Sequence, residues 1–272
     1  MRRIINYAPS PGVALLLGAA PFVAVGMFYL AASDARLAVD AADKLMPGLS
    51  AFYAQMSRLM TRVDPAVAQP LFWYDTWWSL SRLLQGIGWS ALIGIVGGIL
   101  IGFIPFLRAT FEPLIFALSL IPPLAVLPIL FIAFGLGETS KLVLIVFGIA
   151  PFIVRDVVLL VAAIPREQII KAQTLGASTW QMIVDVVLPQ ALPRLIESVR
   201  LSLGSAWLFV IAAEAITAEG GLGYRIFLVR RYLAMDVILP YVVWITLLAF
   251  LLDYALRKLS AAAFPWAKLR EA

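Results

Sequence analysis

An all-α fold that crosses a membrane about six times is what the sequence predicts, and three observations carry that reading. The 272 residues are 62% hydrophobic and only 14% charged, whereas a soluble domain of this size carries about a quarter charged residues. The charges are also unevenly spread, with none between Arg3 and Asp34, between Arg82 and Arg108, or between Glu112 and Glu138. Each gap reaches the ~20 apolar residues that a helix needs to cross ~30 Å of hydrocarbon. Finally, His and Cys are both absent, which removes most zinc, haem and iron–sulfur sites, disulfides, Cys nucleophiles and His acid/base catalysis. What is left is a membrane protein that does mechanical or binding work. Its net charge of +5 is accounted for by basic residues flanking spans and requires no nucleic acid.

Taken in order, the weakly charged windows 12–32, 81–106, 112–135, 141–163, 192–215 and 237–259 are the candidate spans. The first follows Arg2 and Arg3, and it is longer than the ~7–15 apolar residues of a signal-peptide core, so it reads as a retained span. An even count puts both ends on one side. With the termini inside, the inner segments hold Arg2, Arg3, Arg108, Arg155, Arg166, Lys171, Arg194, Arg200, Arg257, Lys258, Lys268 and Arg270. The outer span ends hold Arg82, Lys141, Arg225, Arg230 and Arg231. That asymmetry favours both termini in the cytoplasm.

Between the first two spans lies a long outer loop, 33–80. Asp40, Asp43 and Lys44, then Leu45, Leu49, Phe52, Met56, Leu59 and Met60, fall at helical spacing and predict a surface helix against the membrane or the bundle. Trp73, Tyr74, Trp77 and Trp78 read as an interfacial aromatic belt rather than a ligand cage. In the second span Gly86, Ser90, Gly94, Gly98 and Gly102 recur every four residues. Such a bare face lets helices approach closely, either inside one subunit or across a dimer seam. In the third, Pro122, Pro123 and Pro128 remove backbone donors and predict a broken or kinked helix. A break at membrane depth needs protein or a water-filled path beside it, which makes these prolines candidate pathway residues. Arg155, Asp156, Glu214 and Asp253 are charges within spans; structural ion pairs are the first reading, functional sites the second. Arg225, Arg230 and Arg231 either steer an anionic substrate or a binding protein, or are plain solvated surface.

No Gly-x-x-x-x-Gly-Lys-Ser/Thr stretch occurs, so the chain has no phosphate-binding loop of its own. Gly135 to Lys141 has the wrong spacing and reads as a turn between spans. With no carboxylate pair or Ser/Lys constellation, the chain is not read as an enzyme. The most informative stretch is 164–189. Pro165 suits a first helical turn, Glu167 complements the positive helix end, and Gly176 suits termination. These predict a short helix from Arg166 to Leu175, then a bend and a second helix ending near Leu188–Pro189. Ile169, Ala172 and Leu175 would share a face fit to be gripped by a partner.

This segment resembles the EAA motif of permease subunits of ATP-binding-cassette importers, in which Glu-Ala-Ala, three residues, Gly, nine residues and Ile-x-Leu-Pro recur. Ala172, Gly176, Val186, Leu188 and Pro189 fall in register, while Ile170 and Lys171 stand where the family has Glu and Ala, with Glu167 one turn earlier. The likeness continues through Ile121 to Pro128, Phe134 to Lys141, Ala206–Trp207, Ala213–Glu214, Gly220 to Tyr224, Asp236 and Asp253, which look like permeases of the nitrate, sulfonate, taurine and bicarbonate group. It covers roughly 75–266, the permease core, leaving 1–74 as an N-terminal span plus an atypical outer loop and 267–272 as a tail. The resemblance implies a type I importer permease fold and a homodimer in the bacterial inner membrane. It also implies two ATPase subunits that carry the ATP and Mg, no cofactor on this chain, and an outer solute-binding protein. It implies ATPase-coupling positions at Arg166, Glu167, Ile170, Lys171, Ala172, Leu175, Gly176, Ala177, Leu188 and Pro189. Pathway positions are implied at Pro122, Pro123, Pro128, Trp207 and Glu214. An ion-coupled secondary transporter or channel is the competing class, and the lack of paired repeats and of a run of buried acids counts against it.

Overall fold

Two rows of side chains spaced four apart organise the bundle. In the computed structural model, which describes residues 9–41 and 43–266, helix α3 (Leu71–Phe103) lies along α6 (Glu138–Ala162) in the most extensive interface of the chain. A Cβ added at Gly86 would stand 2.4 Å from Ile145, at Gly94 2.3 Å from Ile153, at Gly98 2.5 Å from Val157 and at Gly102 2.8 Å from Val161. The glycine row is therefore the groove for a β-branched ridge, and the order of the contacts makes the two helices parallel. Of the two readings left open for this stripe, packing within the chain is the observed one. Close approach of this kind is how helices gain dispersion energy in lipid, where no hydrophobic force draws them together. Ile145, Ile149, Ile153 and Val157 are at the centre of the buried core.

Parallel neighbours need a return path, and the third span supplies it in two pieces. Helix α4 (Pro105–Leu120) and helix α5 (Pro123–Phe134) meet at 99°. Two adjacent prolines explain the break. Each disfavours α-helical backbone in the residue before it, so Ile121 (ψ 124°) and Pro122 (ψ 114°) are both extended. This is the break that the prolines predict.

The remaining helices are α1 (Pro11–Val39), α2 (Leu49–Thr61), α7 (Arg166–Thr174), α8 (Thr179–Gln181), α9 (Leu188–Leu201), α10 (Leu203–Thr217), α11 (Leu222–Val229) and α12 (Met235–Ala263). A π-helical turn, Met182–Val187, joins α8 to α9. A two-residue antiparallel hairpin, Val63–Asp64 with Gln69–Pro70, precedes α3. Among the described residues four helices are long and apolar enough to span a membrane, and the count reaches six if each of the bent pairs α4–α5 and Thr179–Leu201 with Leu203–Ile216 (49°) is one span. Four of the six windows read from the sequence fall on single long helices, and the other two, 112–135 and 192–215, fall on the bent pairs. Arg2, Arg3, Lys268 and Arg270, which entered the orientation count, lie outside the described residues.

Two local expectations are corrected and one is sharpened. The outer surface helix starts only at Leu49 rather than near Asp40, because Pro47 holds Met46 out of helical backbone and Gly48 serves as the N-cap. α2 then packs Phe52, Met56 and Met60 beside Trp244 and Leu247 of α12. Second, the aromatic cluster read as an interfacial belt forms the first two turns of α3. Trp73 and Trp77 face outward, whereas Tyr74 packs on Gly220 and Trp78 lies under Arg82. Third, the chain does not end a helix at Leu188–Pro189. Pro189 can neither donate to the preceding turn nor clear its carbonyl in a regular α-helix, and the π-helical widening just before it lets the axis run on into α9.

α1 stands apart. Among the described residues only Ser33 of this helix is buried, and its attachment is local: Tyr29 donates to the Pro47 carbonyl (2.9 Å), Ser33 to that of Met46 (2.8 Å), and the Tyr29 and Phe52 rings stack at 5.9 Å. The rest of its apolar surface is bare.

Candidate functional site

At one end of the bundle α7 projects with its own small architecture. Its C-terminus closes in a Schellman turn. Gly176 sits at φ +82°, its N–H donates to the Gln173 carbonyl (2.9 Å), and the Ala177 N–H reaches that of Ala172 (3.0 Å). In this motif the left-handed residue is best a glycine, and the residues at the two ends of the longer bond commonly touch. Ala172 and Ala177 are both half-buried, so the spacing Ala-x-x-x-Gly-Ala is the sequence form of a tight helix stop. Ser178 then caps the next helix through a reciprocal capping box with Gln181.

The outward face of this unit differs from the expected one. Ile169 and Ala172 turn inward and are half-buried, beside the π turn on which α7 rests. Ile170 (56% exposed), Leu175 (80%) and Trp180 (70%) point outward, flanked by exposed Arg166, Glu167 and Lys171. The free apolar surface is therefore Ile170–Leu175–Trp180, and the expected Ile169–Ala172–Leu175 face is split by the packing. Leu188 and Pro189 are half-buried in the helix behind it. Gln190 ties that helix to α7, donating to Gln168 (3.2 Å). Further in, Arg194 grips Asp156 of α6 with two bonds of 2.9 Å, Ser198 donates to the same carboxylate, and Arg200 donates to Asp253 of α12 (2.9 Å). These pairs bind α9 to α6 and α12.

The opposite end holds a second cluster, built on α3. Asp75, Ser79 and Arg82 occupy one helical face and are all buried. The Glu214 carboxylate, fully buried, accepts from Ser79 Oγ (2.8 Å), Arg82 Nη1 (2.7 Å) and the Gly223 N–H (2.8 Å). Arg82 also donates to the Gly220 carbonyl (2.7 Å) and forks onto Glu138 at 2.7 and 2.8 Å, where Lys141 joins at 2.7 Å. Asp75 accepts from Arg225 (2.8 Å), the Gly221 N–H (3.1 Å) and Tyr241 Oη (3.2 Å), and Ser79 Oγ accepts from the Leu222 N–H (2.8 Å).

The loop 220–223 is thus held by its backbone, and its glycines are needed there. Gly221 has φ +132° with the Glu214 carboxylate 2.5 Å from where a Cβ would stand, and a Cβ at Gly223 would lie 2.8 Å from the Ile211 backbone. Cations and carboxylates balance within the cluster, Arg82, Lys141 and Arg225 against Asp75, Glu138 and Glu214. Full pairing is what makes such buried charge tolerable.

The expected pathway residues are dispersed. Glu214 is at the heart of this buried cluster. Pro122 and Pro128 are exposed on the single chain and Pro123 half-buried at the α4–α5 break. Trp207 is buried in α10, its indole N–H without a partner among the described residues. Arg225 is committed to Asp75, Arg230 lies over Phe227, and Arg155 and Asp156, though adjacent, have separate partners. Asp75 and Ser79 escape a reading that begins the second span at 81. The signal was present as Asp75, Ser79 and Arg82 at i, i+4 and i+7, one face of a helix. Among the described residues no group of three or more metal-ligating side chains comes together.

Comparison with known proteins agrees with this geometry. The chain is 36% identical over 212 residues to the taurine transport system permease protein TauC of Escherichia coli (strain K12), covering 78% of this chain and 77% of that one. It is 35% identical over 187 residues to the bicarbonate transport system permease protein CmpB of Synechococcus elongatus (67% and 66% covered). Against the putative aliphatic sulfonates transport permease protein SsuC of Bacillus subtilis it is 29% identical over 188 residues (69% and 68%). Its fold superposes on a chain of the inward-facing MetNI methionine ABC transporter with a TM-score of 0.63 at 23% identity, covering 76% of this chain and 97% of that one. Residues 90–264 match the family model, and the chain belongs to the family of binding-protein-dependent transport system inner membrane components.

Proposed function

We propose that this chain is the pathway-forming subunit of an ATP-driven importer, passing a small anionic or zwitterionic solute into the cytoplasm. The observation that carries the reading is α7: a short helix stopped by a Schellman turn, presenting exposed Ile170, Leu175 and Trp180 and braced from behind by ion pairs to two spans. Such a helix transmits force as a rigid lever. In this scheme each of two ATPase subunits, which hold the ATP and Mg, grips one α7, and this chain binds no cofactor. A second copy of the chain faces the first across α5, the half of the broken span that exposes Ile129 and Ile132, and completes the path, with Trp207 and the prolines near it. α7 and both termini are cytoplasmic, and the binding protein docks at the opposite end, beside the 220–223 loop.

Relatives named for taurine, bicarbonate and aliphatic sulfonates suggest the substrate chemistry, a compact anionic group of the nitrate or sulfonate kind. Coupling requires the ATP-bound ATPase pair to favour one permease state strongly, since ~5.5 kcal/mol carries an equilibrium from 1:99 to 99:1. The test is uptake by proteoliposomes carrying the complete complex, with Ala172→Glu and Gly176→Trp combined in this chain. The expected result is ATP hydrolysis without solute uptake. Normal uptake by that variant, or ion-driven uptake with no ATPase bound, refutes the proposal and favours a secondary transporter.

A further inference from the structure

Arg155 and Asp156 are neighbours in sequence with opposite fates. Asp156 is neutralised by Arg194. Arg155 points the other way, out of α6, where its guanidinium lies over the Phe116 ring at 4.8 Å. It is exposed, and among the described residues no carboxylate comes within ion-pair distance of it. The nearby acid, Glu112, is already taken by Arg108 of its own helix (3.0 Å). Between α4 and α6 at this place runs a groove of about 150 Å³ lined by Ile101, Ile115, Val158 and Leu159 and also by Glu112, whose charge Arg108 offsets. An exposed, unpaired cation beside a mostly apolar groove whose one carboxylate is already paired is the complement of a negatively charged headgroup carrying an acyl chain.

Depth agrees. Arg155 is seven residues before the end of α6 at Ala162, about 10 Å at ~1.5 Å per residue, from which an arginine reaches the headgroup layer. We propose that Arg155, Phe116 and this groove form a binding site for an anionic phospholipid of the leaflet that carries α7. That leaflet is the cytoplasmic one on the orientation proposed above. The phosphate pairs with the guanidinium and one acyl chain fills the groove.

The test uses the full chain purified in mild detergent with its ATPase and loaded with phosphatidylglycerol or phosphatidylcholine, bound lipid being read by native mass spectrometry. The wild type is expected to retain phosphatidylglycerol in preference, and Arg155→Gln to lose about fivefold of that retention, the weight of one basic residue at a lipid surface. Arg155→Lys should keep part of it. Leu159→Trp fills the groove without touching the charge and should also release the lipid, which keeps the test alive if Arg155→Gln does not insert. Equal phosphatidylglycerol retention by wild type and Arg155→Gln overturns the proposal. So does an altered solute KM in Arg155→Gln with lipid retention unchanged, which would put the guanidinium on the solute's route. Loss of the ATPase from the same preparations would strike at the importer reading and leave the lipid result standing.

Discussion

Gly94→Ala and Gly88→Ala make the same chemical change six residues apart in α3, and opposite signs are expected. Around Gly88 nothing lies within 4 Å of the added Cβ, so the substitution should be neutral or stabilise by about 0.5–1 kcal/mol, the usual gain of Ala over Gly in a helix. At Gly94 the new atom would stand 2.3 Å from Ile153 Cγ2 and 2.9 Å from Ile153 Cβ, where carbon atoms rest at about 3.5–4.0 Å. Rotating the isoleucine removes the first overlap but cannot remove the second, since Cβ is fixed to the α6 backbone. The helices must therefore part by roughly an ångström, which forfeits a quarter to a half of each contact along that stretch. Overpacking of this kind costs about 1–3 kcal/mol. Thermal unfolding of the two variants in one detergent, followed by the tryptophan fluorescence of the chain, reads the difference directly. If both variants shift the same way, or if Gly94→Ala is as stable as the wild type in isolated protomers, the intrachain seam is the wrong account of the glycine stripe.

Other perturbations follow from the two ends of the bundle. Arg82→Gln should destabilise by about 3–5 kcal/mol because it strands the fully buried Glu214, and adding Glu214→Gln should recover part of the loss in a double-mutant cycle of unfolding midpoints. Asp156→Asn is expected to cost about 1 kcal/mol or less, since the Arg194 pair is partly solvated, in the same unfolding assay. Leu175→Asp with Trp180→Ser should leave insertion and unfolding unchanged, both side chains being exposed. The pair should weaken ATPase retention on co-purification about tenfold, or ~1.4 kcal/mol.

How far the site was legible depended on range along the chain. The helix stop at Gly176, the break at Pro122–Pro123 and the six apolar windows are properties of short segments, set by proline geometry, glycine backbone freedom and the length of a hydrocarbon crossing. Those were readable. The inward turn of Ile169 and Ala172 was not, because α7 offers two apolar faces and only the helix behind it selects which one is covered. The same holds for the start of α3. Trp73 to Trp78 read as one aromatic cluster, and only the fold separates outward Trp73 and Trp77 from Tyr74 and Trp78, which pack against Gly220 and Arg82.

By itself, then, the sequence determined that this is a membrane-spanning all-α chain with no His or Cys chemistry, that one span breaks at Pro122–Pro123 and that the short helix after Pro165 stops at Gly176. Tertiary structure decided who meets whom. Gly94 finds Ile153 across 59 residues of chain, Asp75 finds Arg225 across 150, and Arg155 parts from Asp156 although they are adjacent. The physical reason is that a bare helix face or a buried charge states a need for a partner without naming it. Only the packing of α3, α4, α6, α10 and α11 into one bundle brings the complementary row, the opposite charge or the groove beside Arg155 within a few ångströms.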